Sequence, residues 1–127
     1  MSEKRILIVD DEAGFTRVLR LTLEGTGKYQ VEEVNDGRLA VEAARSFKPD
    51  LILLDVVMPE IDGGDVATKI KADPGLKDVP IVFLTAIVSP NEASKRSQIG
   101  GFPFLAKPVT VAAISETVEA LCPDGVS

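Results

Sequence analysis

Leu51-Ile-Leu-Leu-Asp55-Val-Val-Met-Pro59 decides how this chain is read, because a short apolar run delivers one carboxylate to its end and then stops. Bounded by Pro49-Asp50 and Pro59, the run predicts a strand covered on both faces, as in parallel sheets. Asp55 then sits near the strand's C-terminal end, the edge where open α/β sheets place their ligand sites. Its plainer alternative is a turn-forming acid after a strand. The residues that share that edge decide between the two.

Working outward, Ile6-Leu-Ile-Val9 predicts a first buried strand that ends in Asp10-Asp11-Glu12. Phe15, Val18, Leu19 and Leu23 recur at helical spacing until Gly25-Thr-Gly27 stops the helix. Tyr29-Gln-Val-Glu-Glu-Val34 alternates as a half-covered or edge strand should, and Asn35-Asp-Gly37 turns the chain. Leu39, Ala40, Ala43, Ala44 and Phe47 make a small apolar helix face, which Pro49 ends. A third helix is expected from Asp62 or Gly63, with Val66, Ala67 and Ile70 inward. Pro80-Ile-Val-Phe-Leu-Thr85 reads as a fourth strand, again apolar until a polar side chain appears at its end. Ser89-Pro-Asn-Glu92 is a capping box that predicts a fourth helix, whose only apolar residue between Asn91 and Gln98 is Ala93. Phe102-Pro-Phe-Leu-Ala106 reads as a fifth strand, and Pro103 points to an edge position because it cannot donate to a ladder. Val111, Ile114, Val118 and Leu121 then line a fifth helix. Strands alternating with helices imply a doubly wound α/β fold with a five-stranded parallel sheet and five helices.

Composition narrows the function. The 127 residues suit one domain, and a 45% hydrophobic but only 5% aromatic content predicts a core of Val, Ile, Leu and Ala. Fourteen Lys and Arg against 20 Asp and Glu give a net charge of -6, which repels nucleic-acid backbones and argues against direct nucleic-acid binding. Cys122 has no partner thiol, which excludes an intrachain disulfide and fits a reducing cytoplasm. Neither a signal peptide nor a membrane-spanning run is legible, so no membrane role is expected. Histidine is absent, which removes His general bases and most transition-metal sites. Chemistry must come from carboxylates, Lys, Ser, Thr or a hard metal ion.

The polar residues at the predicted strand ends are Asp10, Asp11, Asp55, Thr85 and Lys107. Adjacent parallel strands bring them to one edge, and together they carry far more weight than any one alone. Ile6-Leu-Ile-Val-Asp-Asp11, Leu53-Leu-Asp-Val-Val-Met-Pro59 with Asp62-Gly63, Leu84-Thr-Ala86 and Leu105-Ala-Lys-Pro108, in this order, resemble the hallmark segments of the receiver domain of two-component response regulators. The resemblance covers residues 1-122, leaving 123-127 as a C-terminal tail or the start of a linker. It implies a flavodoxin-like, CheY-like sheet of strand order 2-1-3-4-5.

The same resemblance implies that Asp55 is the phosphoacceptor, a carboxylate nucleophile that becomes an acyl phosphate. Clustered Asp side chains repel unless a cation joins them, and an all-oxygen site suits Mg²⁺. Asp10, Asp11, Asp55 and the backbone carbonyl of Val57 are the implied ligands. Lys107 would pair with Asp55 before transfer and with a phosphoryl oxygen after it. A cis peptide is implied before Pro108. Thr85 would be the switch residue, with Phe104 rotating into the space its hydroxyl leaves or remaining a core side chain. Lacking a phenolic hydroxyl, Phe104 would switch through packing alone. Val57 and Ile87, two residues beyond Asp55 and Thr85, are apolar and cannot orient a water, so slow hydrolysis of the acyl phosphate is expected.

The implied partners are a sensor histidine kinase or phosphotransfer protein as donor and a downstream effector. The effector would bind the face built by the fourth helix, fifth strand and fifth helix, and the weakly apolar fourth helix is expected to shift on phosphorylation. Homodimerisation through that face is left open. Such a chain is a signalling protein rather than an enzyme. Two alternatives stand beside this reading: a scaffold that binds without phosphorylation, and a small Mg²⁺-dependent phosphohydrolase of the HAD type. The latter needs a second Asp where Val57 stands and a nucleophile after the first strand. A dinucleotide-binding module lacks its Gly-x-Gly-x-x-Gly after the first strand.

Overall fold

The computed structural model describes residues 3–56, 58, 61–85, 98–99, 102–107 and 109–122. Its elements in order are β1 (Lys4–Val9), α1 (Ala13–Gly25), β2 (Tyr29–Val34), a 3-10 turn (Gly37–Leu39), α2 (Ala40–Phe47), β3 (Leu51–Asp55), α3 (Gly63–Ala72), β4 (Ile81–Thr85), β5 (Gln98–Ile99), β6 (Phe102–Ala106) and α4 (Val111–Leu121). The continuous apolar runs become central strands for a simple reason. Every residue of β3 and β4 is buried, and a strand covered on both faces gains from apolar side chains at successive positions rather than alternate ones.

The sheet order is β2-β1-β3-β4-β6-β5. Its first five members are parallel and reproduce the expected 2-1-3-4-5 arrangement, the predicted fifth strand being β6. The predicted fifth helix is α4, and the helix predicted from Ser89 lies outside the described residues, as do Val57, Ile87 and Pro108. One expectation is corrected: β6 is not the outermost strand, because the two residues of β5 pair with it antiparallel, Gln98 opposite Pro103 and Ile99 opposite Phe102. Pro103 still leaves its mark, since the β4–β6 ladder begins only after it, at Phe83 opposite Phe104.

Two apolar layers flank the sheet. Leu7, Val9, Ile52, Leu54, Ile81 and Phe83 meet Ala40 and Ala44 of α2 and Val66, Ala67 and Ile70 of α3 on one face. Ile6, Ile8, Leu51, Leu53, Val82 and Leu84 meet Leu19 and Leu23 of α1 and Ile114 and Val118 of α4 on the other. Side-chain period two in the strands and α-helical period in the covers produce this division. The helical faces are narrower than their apolar spacing suggests. In α1 the inward residues are Thr16, Leu19 and Leu23, while Val18, one residue or about 100° from Leu19, is 64% exposed. Leu39 falls in the 3-10 turn rather than on α2 and is 53% exposed.

Caps fix the ends of the helices that cover the sheet. Asp62 accepts a 2.6 Å hydrogen bond from the Gly64 amide at the start of α3, and Thr110 accepts one of 3.1 Å from Ala113 at the start of α4. At the far end of α2, Lys48 adopts the left-handed conformation (φ 56°) that ends the helix before Pro49. Tyr29 and Ser115 join their hydroxyls at 2.9 Å, tying α4 to β2, and the free Cys122 thiol donates to the Asp50 carbonyl at 3.0 Å.

Candidate functional site

Asp10 follows β1, Asp55 ends β3, Thr85 ends β4 and Lys107 follows β6, so the parallel register delivers all four to one edge of the sheet. Main-chain bonds fix that edge. Val56 donates to the Leu84 carbonyl at 3.1 Å, Lys107 to the Thr85 carbonyl at 2.8 Å, and Asp10 to the Val34 carbonyl at 3.0 Å. Asp10, Asp55 and Thr85 are buried, and Asp11 is exposed at the mouth.

Each of Asp10, Asp11 and Asp55 offers a carboxylate oxygen, and these atoms all lie within 4.8 Å of one another. Carboxylates this close repel, so an arrangement of this kind is stable only with positive charge among them. Lys107 supplies one such charge. Its ammonium lies 2.6 Å from Asp10 Oδ2, 3.2 Å from Glu12 Oε1 and 3.9 Å from Asp55 Oδ1. Burial works against the Lys107 cation, but the Asp10 carboxylate, then Asp55 and Glu12, outweigh it and its pKa is raised. Asp10 Oδ2 has this charge close by and yet no aligned hydrogen-bond donor among the described residues, although it is buried. An acceptor-only oxygen in that position is suited to a cation. The donor set is oxygen throughout, so the cluster fits a hard ion.

Other residues at this edge were not singled out by the sequence. Asn35 donates from Nδ2 to the Asp10 carbonyl at 2.8 Å and to Thr16 Oγ1 at 2.9 Å. Thr16, fully buried on α1, donates onward to Glu33 Oε1 at 2.9 Å, and Glu33 is paired with Arg20. The first turn of α1 also presents the Phe15 ring, whose centroid is 4.6 Å from the Lys107 ammonium. In the sequence Asn35 reads as part of a turn and Phe15 as core, and no spacing rule distinguishes them from such residues. Glu12 directly follows the Asp pair, the one signal that could have drawn notice.

Phe104 is half-buried and packs against the α2/α3 layer, opposite Phe83 in the ladder. At Gly63 the first turn of α3 passes so close to β3 that a Cβ there would collide with the Asp55 carbonyl and lie 2.9 Å from Val56 Cα. Gly63 is thus where the loop after Asp55 folds back on it, its amide donating to the Val56 carbonyl at 3.0 Å.

No helix among the described residues is long and apolar enough to cross a membrane. Comparison with known proteins agrees with the site. The DNA-binding response regulator MtrA of Mycobacterium tuberculosis is 37% identical over 105 residues, 83% of this chain and 44% of MtrA, so the chain spans under half the length of this relative. The polar-differentiation response regulator DivK of Brucella anthropi is 30% identical over 95% of this chain and 98% of its own. The receiver domain of the sensor histidine kinase PA1611 from Pseudomonas aeruginosa, solved with a magnesium ion coordinated in its active-site cleft, superposes with a TM-score of 0.78 at 29% identity over 94% of this chain and 98% of that one. A family model described as the response regulator receiver domain matches residues 6–119, which leaves the scaffold and phosphohydrolase alternatives unfavoured; with this fold and this edge, the chain belongs to that family, the phosphoacceptor domains of two-component response regulators.

Proposed function

We propose that this chain takes a phosphoryl group onto Asp55 from the phosphohistidine of a sensor histidine kinase or phosphotransfer protein. The observation that carries the reading is the convergence of the Asp10, Asp11 and Asp55 carboxylates within 4.8 Å beside the Lys107 ammonium. A carboxylate oxygen of Asp55 forms the new O–P bond as the P–N bond to the donor imidazole breaks, and the imidazole leaves with the electron pair. None of these 127 residues is histidine, so the donor imidazole lies outside this sequence. Asp10, Asp11, Asp55 and the main-chain carbonyl of Val57 would hold Mg²⁺, which when bound neutralises charge on the transferring group. Lys107 then faces a phosphoryl oxygen, and the buried Thr85 hydroxyl is at hand for another, with Phe104 two residues before Ala106, the ladder partner of Thr85.

The product is a modified carboxylate, so the chain acts as a signalling module of the cytoplasm rather than as an enzyme. Its domain ends near Cys122. An effector would read the modification on the face of β6, α4 and the helix predicted from Ser89.

The test is the intact mass of the protein after incubation with Mg²⁺ and acetyl phosphate, beside an Asp55→Asn control. One added phosphoryl group on the wild type and none on the variant is the expected result. Lack of an adduct on both, together with failure of the wild type to bind beryllofluoride, would overturn the assignment.

A further inference from the structure

Among the described residues the Lys107 ammonium has four charged or aromatic neighbours, and three of them belong to or precede the first turn of α1. Asp10 Oδ2 is 2.6 Å away, Glu12 Oε1 3.2 Å and the Phe15 ring centroid 4.6 Å, whereas Asp55 Oδ1 stands at 3.9 Å. Lys107 is only 13% exposed, so a ring face and two carboxylates make up much of its surroundings. Cation–π attraction is stronger for a cation withdrawn from water, and Phe15 is itself half-buried against the apolar layer that α1 and α4 make with the sheet. Glu12 differs from Asp10: it is 64% exposed, bears no metal-facing role in the cluster, and can release its partner at low cost.

We infer that Glu12 and Phe15 form a resting cradle that holds the Lys107 ammonium on the α1 side of the site, and that an anion on Asp55 must draw Lys107 out of it. Glu12 and Phe15 are therefore positioning residues that oppose occupancy of the phosphorylated state and set how readily the site accepts its group. This inference rests on the assignment of Asp55 as acceptor. It makes an unusual prediction, because loss of either residue strengthens anion binding instead of weakening it.

The experiment uses beryllofluoride, which mimics a phosphoryl group on a carboxylate, with saturating Mg²⁺ on the whole chain. Glu12→Gln and Phe15→Leu are each expected to tighten its binding by roughly two- to fivefold, the scale of one half-exposed ion pair or cation–π contact. Phe15→Leu changes no charge, so a gain there cannot come from reduced repulsion of the anion, and Glu42→Gln on α2 is expected to leave affinity unchanged. In NMR spectra the Lys107 ε-protons should lie upfield in the resting wild type through the Phe15 ring current. They should lose that shift in Phe15→Leu and when the anion is added. Beryllofluoride affinity unchanged or weakened in both variants, or ε-protons at ordinary positions in the resting protein, overturns the cradle. If the wild type binds no beryllofluoride, the release step falls together with the Asp55 assignment, and a ring-current shift seen in that case would mark the failure as belonging to the assignment.

Discussion

Asn35 reaches across from the end of β2 to donate a 2.8 Å hydrogen bond to the main-chain carbonyl of Asp10, while the Asp10 amide donates to Val34 at 3.0 Å. Asp10 is thereby gripped at both of its flanking peptide units by β2 and the residue that follows it. Partners of this kind orient ligands without touching the ion they serve, and their loss typically weakens metal affinity at least tenfold. Asn35→Ala is expected to weaken Mg²⁺ binding by about tenfold with little change in melting temperature. Calorimetric titration with Mg²⁺ checks this, and unchanged affinity would mean that the β1–β2 ladder alone orients Asp10.

Gly63 and Gly14 predict opposite outcomes for the same substitution. Gly63→Ala drives a methyl into the Asp55 and Val56 backbone, which cannot yield as a side chain would, and is expected to cost about 1–3 kcal/mol. Gly14→Ala meets nothing within 4 Å on α1 and is expected to gain up to about 1 kcal/mol from helix propensity. Denaturant midpoints of the two variants provide the comparison. A Gly63→Ala protein as stable as the wild type would show that α3 can move away from β3.

Glu33 carries a pH dependence. Burial raises its pKa, but hydrogen bonds from Arg20 and Thr16 and the charges of Arg20 and Arg17 prevail, and the value falls below the usual glutamate range. A depressed carboxylate contributes stability that is full above its unfolded pKa, about 4.3, and is lost as pH falls through the lower folded value. Glu33→Gln should therefore narrow the difference in melting temperature between pH 6 and pH 3, buffers chosen to bracket that window. An acid limb as steep in Glu33→Gln as in the wild type would place the loss on other carboxylates.

Phosphoryl lifetime offers a prediction from sequence. Neither Val57 nor Ile87 can hold a water for attack, so the acyl phosphate on Asp55 should persist for minutes or longer in Mg²⁺ without a phosphatase. Decay within seconds, followed by loss of the mass adduct, would refute it.

What the sequence made legible follows from which forces act locally. Ile6–Val9, Leu51–Leu54 and Ile81–Leu84 are buried on both faces, so an uninterrupted apolar run is itself the signal, and the polar residue that ends each run marks the site edge. Asp10, Asp55, Thr85 and Lys107 converge as their positions implied. Less was legible where geometry rather than polarity decides. Val18 is apolar yet exposed because α1 buries only the stripe of Thr16, Leu19 and Leu23, and Leu39 because it falls in the 3-10 turn that precedes α2. The grip of Asn35 on Asp10 and the ring of Phe15 under Lys107 join residues 25 and 92 positions apart in the chain, and neither has a local sequence signal. The antiparallel pairing of Gln98 and Ile99 is too short to leave any periodicity.

The outer strand β2 has a further consequence. It carries exposed Gln30 and half-buried Glu32 on one face and, on the other, half-buried Glu33 turned to α1 and anchored to Arg20. A strand from another molecule seeking to extend the sheet there would have to bring its own backbone against two glutamates and displace an ion pair, so this border of the fold works as a barrier to aggregation. A receiver must offer its surface to a donor and a reader in turn; this edge keeps the protein from adding copies of itself to that traffic.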